Sequence, residues 1–181
     1  SALSSTLIIW ANRSRYSRSA GMRYLFIQVL SGLLLLLGTL LHFQDTQSLL
    51  FTAFALDSLA HWLIFFAFGI KCAFPLLHNW LQDAYPHASA SGTVALSAFT
   101  TKLAVYCLAR AFAGTEYLLW IGAVMTAFPI FFAVIENDLR RVLSYSLNNQ
   151  LGFMVVGIGI GTPLALNGTA AHAFCCILYK A

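Results

Sequence analysis

Apolar residues along this chain run in long blocks separated by short polar or basic clusters. The blocks cover residues 24–42, 58–82, 89–110, 116–136, 142–161 and 166–181, with a shorter apolar run at 1–10. An α-helix needs about 20 residues to cross a bilayer. The first five blocks therefore predict spans, 166–181 a truncated one, and 1–10 the tail of another. The whole reads as one all-α integral membrane domain over 1–181, a polytopic helix bundle. Between spans, residues 11–23 predict a basic loop. Residues 43–57, with Gln44, Asp45, Gln47 and Asp57, predict a connection holding a short interfacial helix around 49–56. Residues 82–87 predict a turn. Pro75 and Pro129 predict breaks or kinks inside their helices.

The charges set an orientation. Arg13, Arg15, Arg18 and Arg23 fill the first loop and Arg140 and Arg141 follow the fourth span. Cytoplasmic loops are enriched in such residues. Counting spans from the first loop puts six of the seven arginines on the cytoplasmic side and leaves Arg110 outside. Composition agrees with a bilayer environment. Only 9% of residues are charged, against about 25% in soluble domains, and the mean hydropathy is +0.79. The net charge of +4 thus reports topology, and nothing points to nucleic acid. No cleavable signal peptide is recognised at Ser1, because Arg13 follows the short apolar run instead of preceding it.

The three lysines depart from that pattern. Lys71, Lys102 and Lys180 all fall inside apolar blocks, away from the arginines. An ammonium group at mid-membrane costs roughly 2.5–3.5 kcal/mol on insertion scales. Snorkelling to the interface is the structural alternative for each one. Three of three argues for a polar interior and a functional role. Burial favours the neutral form of an amine, which suits such a group to proton exchange. Lys71 and Lys102 come from successive spans. The chain offers no acid well inside a span, so an acidic partner must come from elsewhere; a fixed structural ion pair is the alternative to a relay. His78 lies two turns beyond Lys71 and His172 two turns before Lys180, on one helix face. Both are candidate proton carriers. His61 and His87 lie near the surfaces and read as helix-end residues.

Other patterns carry less. Cys72, Cys107, Cys175 and Cys176 sit in apolar stretches and read as packing residues. The glycines at 157, 159 and 161 suit helix packing, and their spacing is not a dinucleotide fingerprint. The sequon-like Asn12-Arg13-Ser14 and Asn167-Gly168-Thr169 lack a supporting context. No nucleophile–base constellation, phosphate loop or metal cluster is present, so neither cofactor nor metal is expected.

Four motifs, in order, carry a family resemblance. They are Phe68-Gly69-Ile70-Lys71 with Pro75-Leu76-Leu77-His78-Asn79-Trp80-Leu81; Leu96-Ser97-Ala98-Phe99-Thr100-Thr101-Lys102; Asn137-Asp138-Leu139-Arg140-Arg141 with Val142-Leu143-Ser144; and Ala171-His172-Ala173-Phe174 with Lys180. Together they resemble the antiporter-like proton-translocating membrane subunits, which include the large membrane subunits of respiratory complex I and the D subunit of multisubunit Na+/H+ antiporters. Residues 136–161 look closer to the D type. The resemblance implies a fold of about fourteen spans with broken helices at mid-membrane, of which this chain is the central part. It implies that Lys71 pairs with a glutamate on the preceding helix, expected just before Ser1, and that Lys102 leads toward His172 and Lys180. Cys176 stands where the family has a second histidine.

The reading is a proton-conducting or cation–proton antiporter-like subunit of a larger membrane complex in the bacterial cytoplasmic (inner) membrane. It is a transport subunit, or the translocating component of a complex I-like dehydrogenase, rather than an enzyme in itself. Lys71, Lys102, His172, Lys180 and His78 form the expected relay. The expected partners are other membrane subunits and the lipid bilayer, with protons as the ion and Na+ as a second candidate. The alternative is a truncated relative that serves only as a structural helix bundle.

Overall fold

In a computed structural model, residues 2–48 and 50–180 are described, and the chain is all-α. The order is α1 (Ala2–Trp10), α2 (Arg15–Thr46), α3 (Leu59–Lys71), α4 (Asn79–His87), α5 (Ala90–Ala111), α6 (Glu116–Ile135), α7 (Leu139–Ile160) and α8 (Pro163–Lys180). Helices α2, α5 and α6 are long and apolar enough to cross a membrane. Helices α7 and α8 have 22 and 18 residues, but α7 opens with Arg140 and Arg141 and carries Ser144, Asn148, Asn149 and Gln150.

Helix starts follow local capping chemistry. Ser14 accepts from the Ser17 N–H, Ser58 from that of His61, Ser89 from that of Gly92, and Asp138 from that of Arg140. Helix α7 ends at Gly161 in the left-handed conformation (φ 69°), which glycine adopts without a Cβ penalty. The start of α2 revises the predicted basic loop. Residues 15–23 are helical, so Arg15, Arg18 and Arg23 occupy the first turns of α2, and only 11–14 link it to α1.

Two connections also differ from expectation. Residues 50–56 form no helix, and Leu49 lies outside the described residues. The Phe54 N–H donates to the Ala111 carbonyl (2.7 Å) at the open end of α5, and the Phe54 ring stacks on His61 at 4.9 Å. A segment this short gains little as an isolated helix, and these contacts tie it to α5 and α3. Residues 82–87, expected as a turn, are part of α4. Trp80, Leu81, Ala84 and Tyr85 are all buried, an i, i+1, i+4, i+5 stripe that packs a short helix against the core.

The tightest packing joins α6 to α7, where small residues let backbones meet. A Cβ on Gly122 would lie 2.7 Å from the Val156 nitrogen, one on Gly152 2.7 Å from the Thr126 nitrogen, and one on Gly159 2.6 Å from the Leu119 nitrogen. Helix α6 continues through Pro129; one turn earlier, Asn149 Nδ2 donates to the Thr126 carbonyl (2.6 Å). Tyr24, Phe65, Trp80, Leu81, Tyr85, Leu108 and Phe112 fill the core. Leu33, Leu36 and Leu40 on α2 and Phe131, Val134 and Ile135 on α6 face outward, as lipid-facing side chains do.

Candidate functional site

The predicted span 58–82 is two helices, and Lys71 is not at the middle of one. It is the last residue of α3. Beyond it the chain turns through Ala73 (φ 61°) and Leu76 (φ 70°), both left-handed, a conformation uncommon for residues with a Cβ. Pro75 stands between them. The corner is stitched rather than loose. The Phe74 N–H returns to the Gly69 carbonyl (3.0 Å) and the Leu77 N–H to the Phe74 carbonyl (2.9 Å). The Trp80 indole donates to the Ile70 carbonyl (3.0 Å), satisfying an acceptor in the last turn of α3.

At this helix end the ammonium of Lys71 sits where the helix dipole favours a cation. Its Nζ donates to Gln28 Oε1 (3.3 Å). Gln28 is a buried residue of α2 that sequence reading missed. Tyr24, Gln28 and Ser31 recur at i, i+4 and i+7 on one buried face of an otherwise leucine-rich helix, and that spacing was the available signal. The Ser31 hydroxyl donates to the Ala67 carbonyl of α3 (2.9 Å). Lys71 and Gln28 line a cavity of about 410 Å³ with Ser5, Tyr24, Thr100 and Cys107.

Lys102 lies deeper, 8% exposed. Its Nζ donates to the Ser97 carbonyl of its own helix (2.8 Å). The buried thiol of Cys176 lies beside it. Lys180 Nζ donates to Ser146 Oγ of α7 and lines a second cavity of about 390 Å³ with Thr93, Ser97, Ser144 and Arg140. Arg140 itself donates to the Pro86 and Ala88 carbonyls. Helix α5 thus stands between two cavities, with Lys71 on one, Lys180 on the other, and Lys102 in its interior.

The two histidines are less connected. His78 is buried at the entry to α4, its ring edge-on to Phe128 at 5.2 Å. His172 meets Phe153 of α7 at 6.4 Å, so it shares the α7-facing side of α8 with Lys180. Among the described residues, His78 Nδ1, Thr101 Oγ1, Asn148 Oδ1 and His172 Nε2 are buried without a hydrogen-bond partner. Such atoms mark places where water or a further polar group fits. Of the five predicted residues, Lys102 and Lys180 share the neighbourhood of Ser97, whose carbonyl accepts from Lys102 and which lines a cavity with Lys180. Among the described residues, Lys71 is hydrogen-bonded to neither, and neither histidine to a lysine.

At the cytoplasmic end that the arginines predict, Arg23 pairs with Asp83 at 2.7 Å and Arg141 with Glu136 at 3.5 Å. At the opposite end His61, read from sequence as a helix-end residue, faces His42 at 3.2 Å.

Comparison with known proteins places these features. Residues 1–181 match the family described as NADH:quinone oxidoreductase/Mrp antiporter, transmembrane. Hydrogenase-4 component B of Escherichia coli (strain K12) is 28% identical, over 94% of this chain and 28% of its own length. NADH-quinone oxidoreductase subunit N of Desulforudis audaxviator is 33% identical, over 92% of this chain and 37% of its own length. The chain thus spans roughly a third of these curated relatives. The solved Mrp complex from Dietzia sp. DQ12-45-1b contains a chain with a TM-score of 0.83 and 26% identity, covering 92% of this chain and 34% of that one. The membrane-bound sulfane sulfur reductase, an archaeal respiratory membrane complex, shares the fold at a TM-score of 0.89 and 22% identity, over 99% of this chain and 41% of that one. With the match running from residue 1 to residue 181, this chain is an integral membrane protein and belongs to the transmembrane family of NADH:quinone oxidoreductases and Mrp antiporters.

Proposed function

We propose that this chain is the lysine-bearing part of a proton-translocating, antiporter-like subunit, working with other membrane subunits in a multisubunit complex of a bacterial cytoplasmic membrane. The observation that carries the reading is the place of Lys102. It is a buried ammonium group on the helix that separates the Lys71 cavity from the Lys180 cavity. Each cavity far exceeds the roughly 10–15 Å³ that one water requires. Among the described residues none of the three lysines forms an ion pair.

In this mechanism a proton is exchanged between Lys71 and Lys102 through the first cavity, and between Lys102 and Lys180 through the second. Gln28 holds Lys71 in line by accepting from Nζ; an amide does this without fixing the charge, as a carboxylate would. Lys102 Nζ reaches the Ser97 carbonyl, and Ser97 lines the cavity that holds Lys180, so a polar path joins the two. His78 and His172 extend the path at its two ends through water. Protons are the ion this chemistry handles best, since neither lysine nor histidine coordinates Na+, a hard cation that prefers oxygen ligands. The test is Lys71→Ala in the full-length subunit within its complex. Proton translocation should be lost while the complex assembles, and translocation at the parental rate would contradict the reading.

A further inference from the structure

At the end of the bundle away from the arginine clusters, two imidazoles meet. His42 lies near the end of α2 and His61 in the first turn of α3, with His61 Nε2 and His42 Nδ1 3.2 Å apart. Three contacts fix the geometry. His61 Nδ1 lies 2.6 Å from the Ala55 carbonyl. Phe54 stacks on the His61 ring at 4.9 Å and stands edge-on to His42 at 5.1 Å. The backbone of Phe54 is tied to the end of α5 through the Ala111 carbonyl. The pair is therefore clamped between α2, α3 and the connection that replaced the expected interfacial helix.

The partners dictate the protons. A carbonyl oxygen only accepts, so His61 Nδ1 carries a hydrogen. In neutral His61, Nε2 is then a lone pair, and His42 Nδ1 must donate to it. That leaves His42 Nε2 as the basic site, 3.4 Å from Thr46 Oγ1, whose hydrogen is donated to the His42 carbonyl (2.7 Å). A proton added there makes His42 an imidazolium without breaking any bond of the pair. The Nδ1 hydrogen can then cross to His61 Nε2, so the charge is shared between the rings. A second proton would put two N–H groups head to head across 3.2 Å, in addition to repulsion between like charges. The Ala55 carbonyl closes the far side, so the pair has one entrance and no exit through His61.

From this geometry we propose that His42 and His61 form a proton-binding site that holds a single shared proton and exchanges it at His42 Nε2 on the non-cytoplasmic side. The site rests on the translocation reading only for its purpose, namely to receive or supply protons at the outer end of the subunit. His61 and Lys71 share α3, ten residues or about 15 Å apart along its axis. The charged groups at this end are Asp45 on α2, Asp57 in the connection, Arg110 at the end of α5 and Glu116 at the start of α6. Among the described residues none of them forms an ion pair or hydrogen bond with either ring.

The test uses the full-length subunit in its complex, reconstituted in liposomes, with His42→Gln, His61→Gln and the double variant. The dependence of transport on outer pH should lose one single-proton step in each single variant, and the double variant should lose no more than either alone. Nitrogen NMR of labelled histidines reads the site independently of transport. It should show one proton taken up by the pair and shared between the two rings. Two rings that titrate independently would overturn the proposal, as would an unchanged outer-pH profile in the double variant. If Lys71→Ala leaves translocation intact while the rings titrate as one, the relay reading fails and the histidine site stands.

Discussion

Along α6 and α7 two helices run backbone against backbone for most of their length, whereas between α3 and α4 the chain abandons helical geometry next to its lysine. The first region uses Gly122, Gly152 and Gly159 to remove side chains from the contact, and leaves regular helical bonding nearly undisturbed. The second uses residues that should resist the conformation, Ala73 and Leu76 at positive φ, and repairs the freed backbone with Phe74, Leu77 and the Trp80 indole. Both solve one requirement: backbone polar groups away from water must be paired. The difference is what each makes room for. The hairpin makes room for nothing, and so is a rigid wall. The corner opens the end of a helix beside a cavity and sets a cation there.

The largest effect is expected from forcing α6 and α7 apart. Gly152→Leu would drive a side chain into the Thr126 backbone, at a cost of about 3 kcal/mol or more. The expected result is a complex that fails to assemble, read by its yield and mass after mild solubilisation. Trp80→Phe tests the corner at smaller cost. It keeps the aromatic packing but removes the indole bond to the Ile70 carbonyl, which retains the Ala73 N–H (3.2 Å), so the cost is that of one hydrogen bond, about 0.5–1.5 kcal/mol. A lowered thermal midpoint and slower translocation, with assembly retained, would show that the stitch holds Lys71 in position. The smallest effect belongs to Gly32→Ala on the outward face of α2. A Cβ there meets nothing within 4 Å, and the better helix former should leave stability within about 1 kcal/mol, on the favourable side. A large loss would mean that this face is covered by protein rather than lipid.

Hydropathy made α5 and α6 legible because their apolar lengths suffice to cross a bilayer, and the Asp138 and Gly161 that bound α7 marked its ends. It failed at the α3–α4 corner for a physical reason. Pro75 announced a break, but nothing in Ala73 or Leu76 announces left-handed backbone, so Lys71 was expected mid-helix rather than at its end. Helix α4 was missed because Gln82 and Asp83 looked like a turn, although the stripe of Trp80, Leu81, Ala84 and Tyr85 was present. Lys102 and Lys180 were recognisable as costly charges from one-dimensional context alone. Gln28 was not, because its meaning depends on which helix α2 faces. His42 and His61 lie 19 residues apart and meet only because the intervening connection folds back.

The proposed relay carries a proton through the bundle interior by way of Lys102. Proton translocation by the assembled complex carrying Lys102→Ala, measured in liposomes with a pH-sensitive dye, is its sharpest test. Intact assembly with loss of translocation is expected. Translocation at the parental rate in that variant would contradict it.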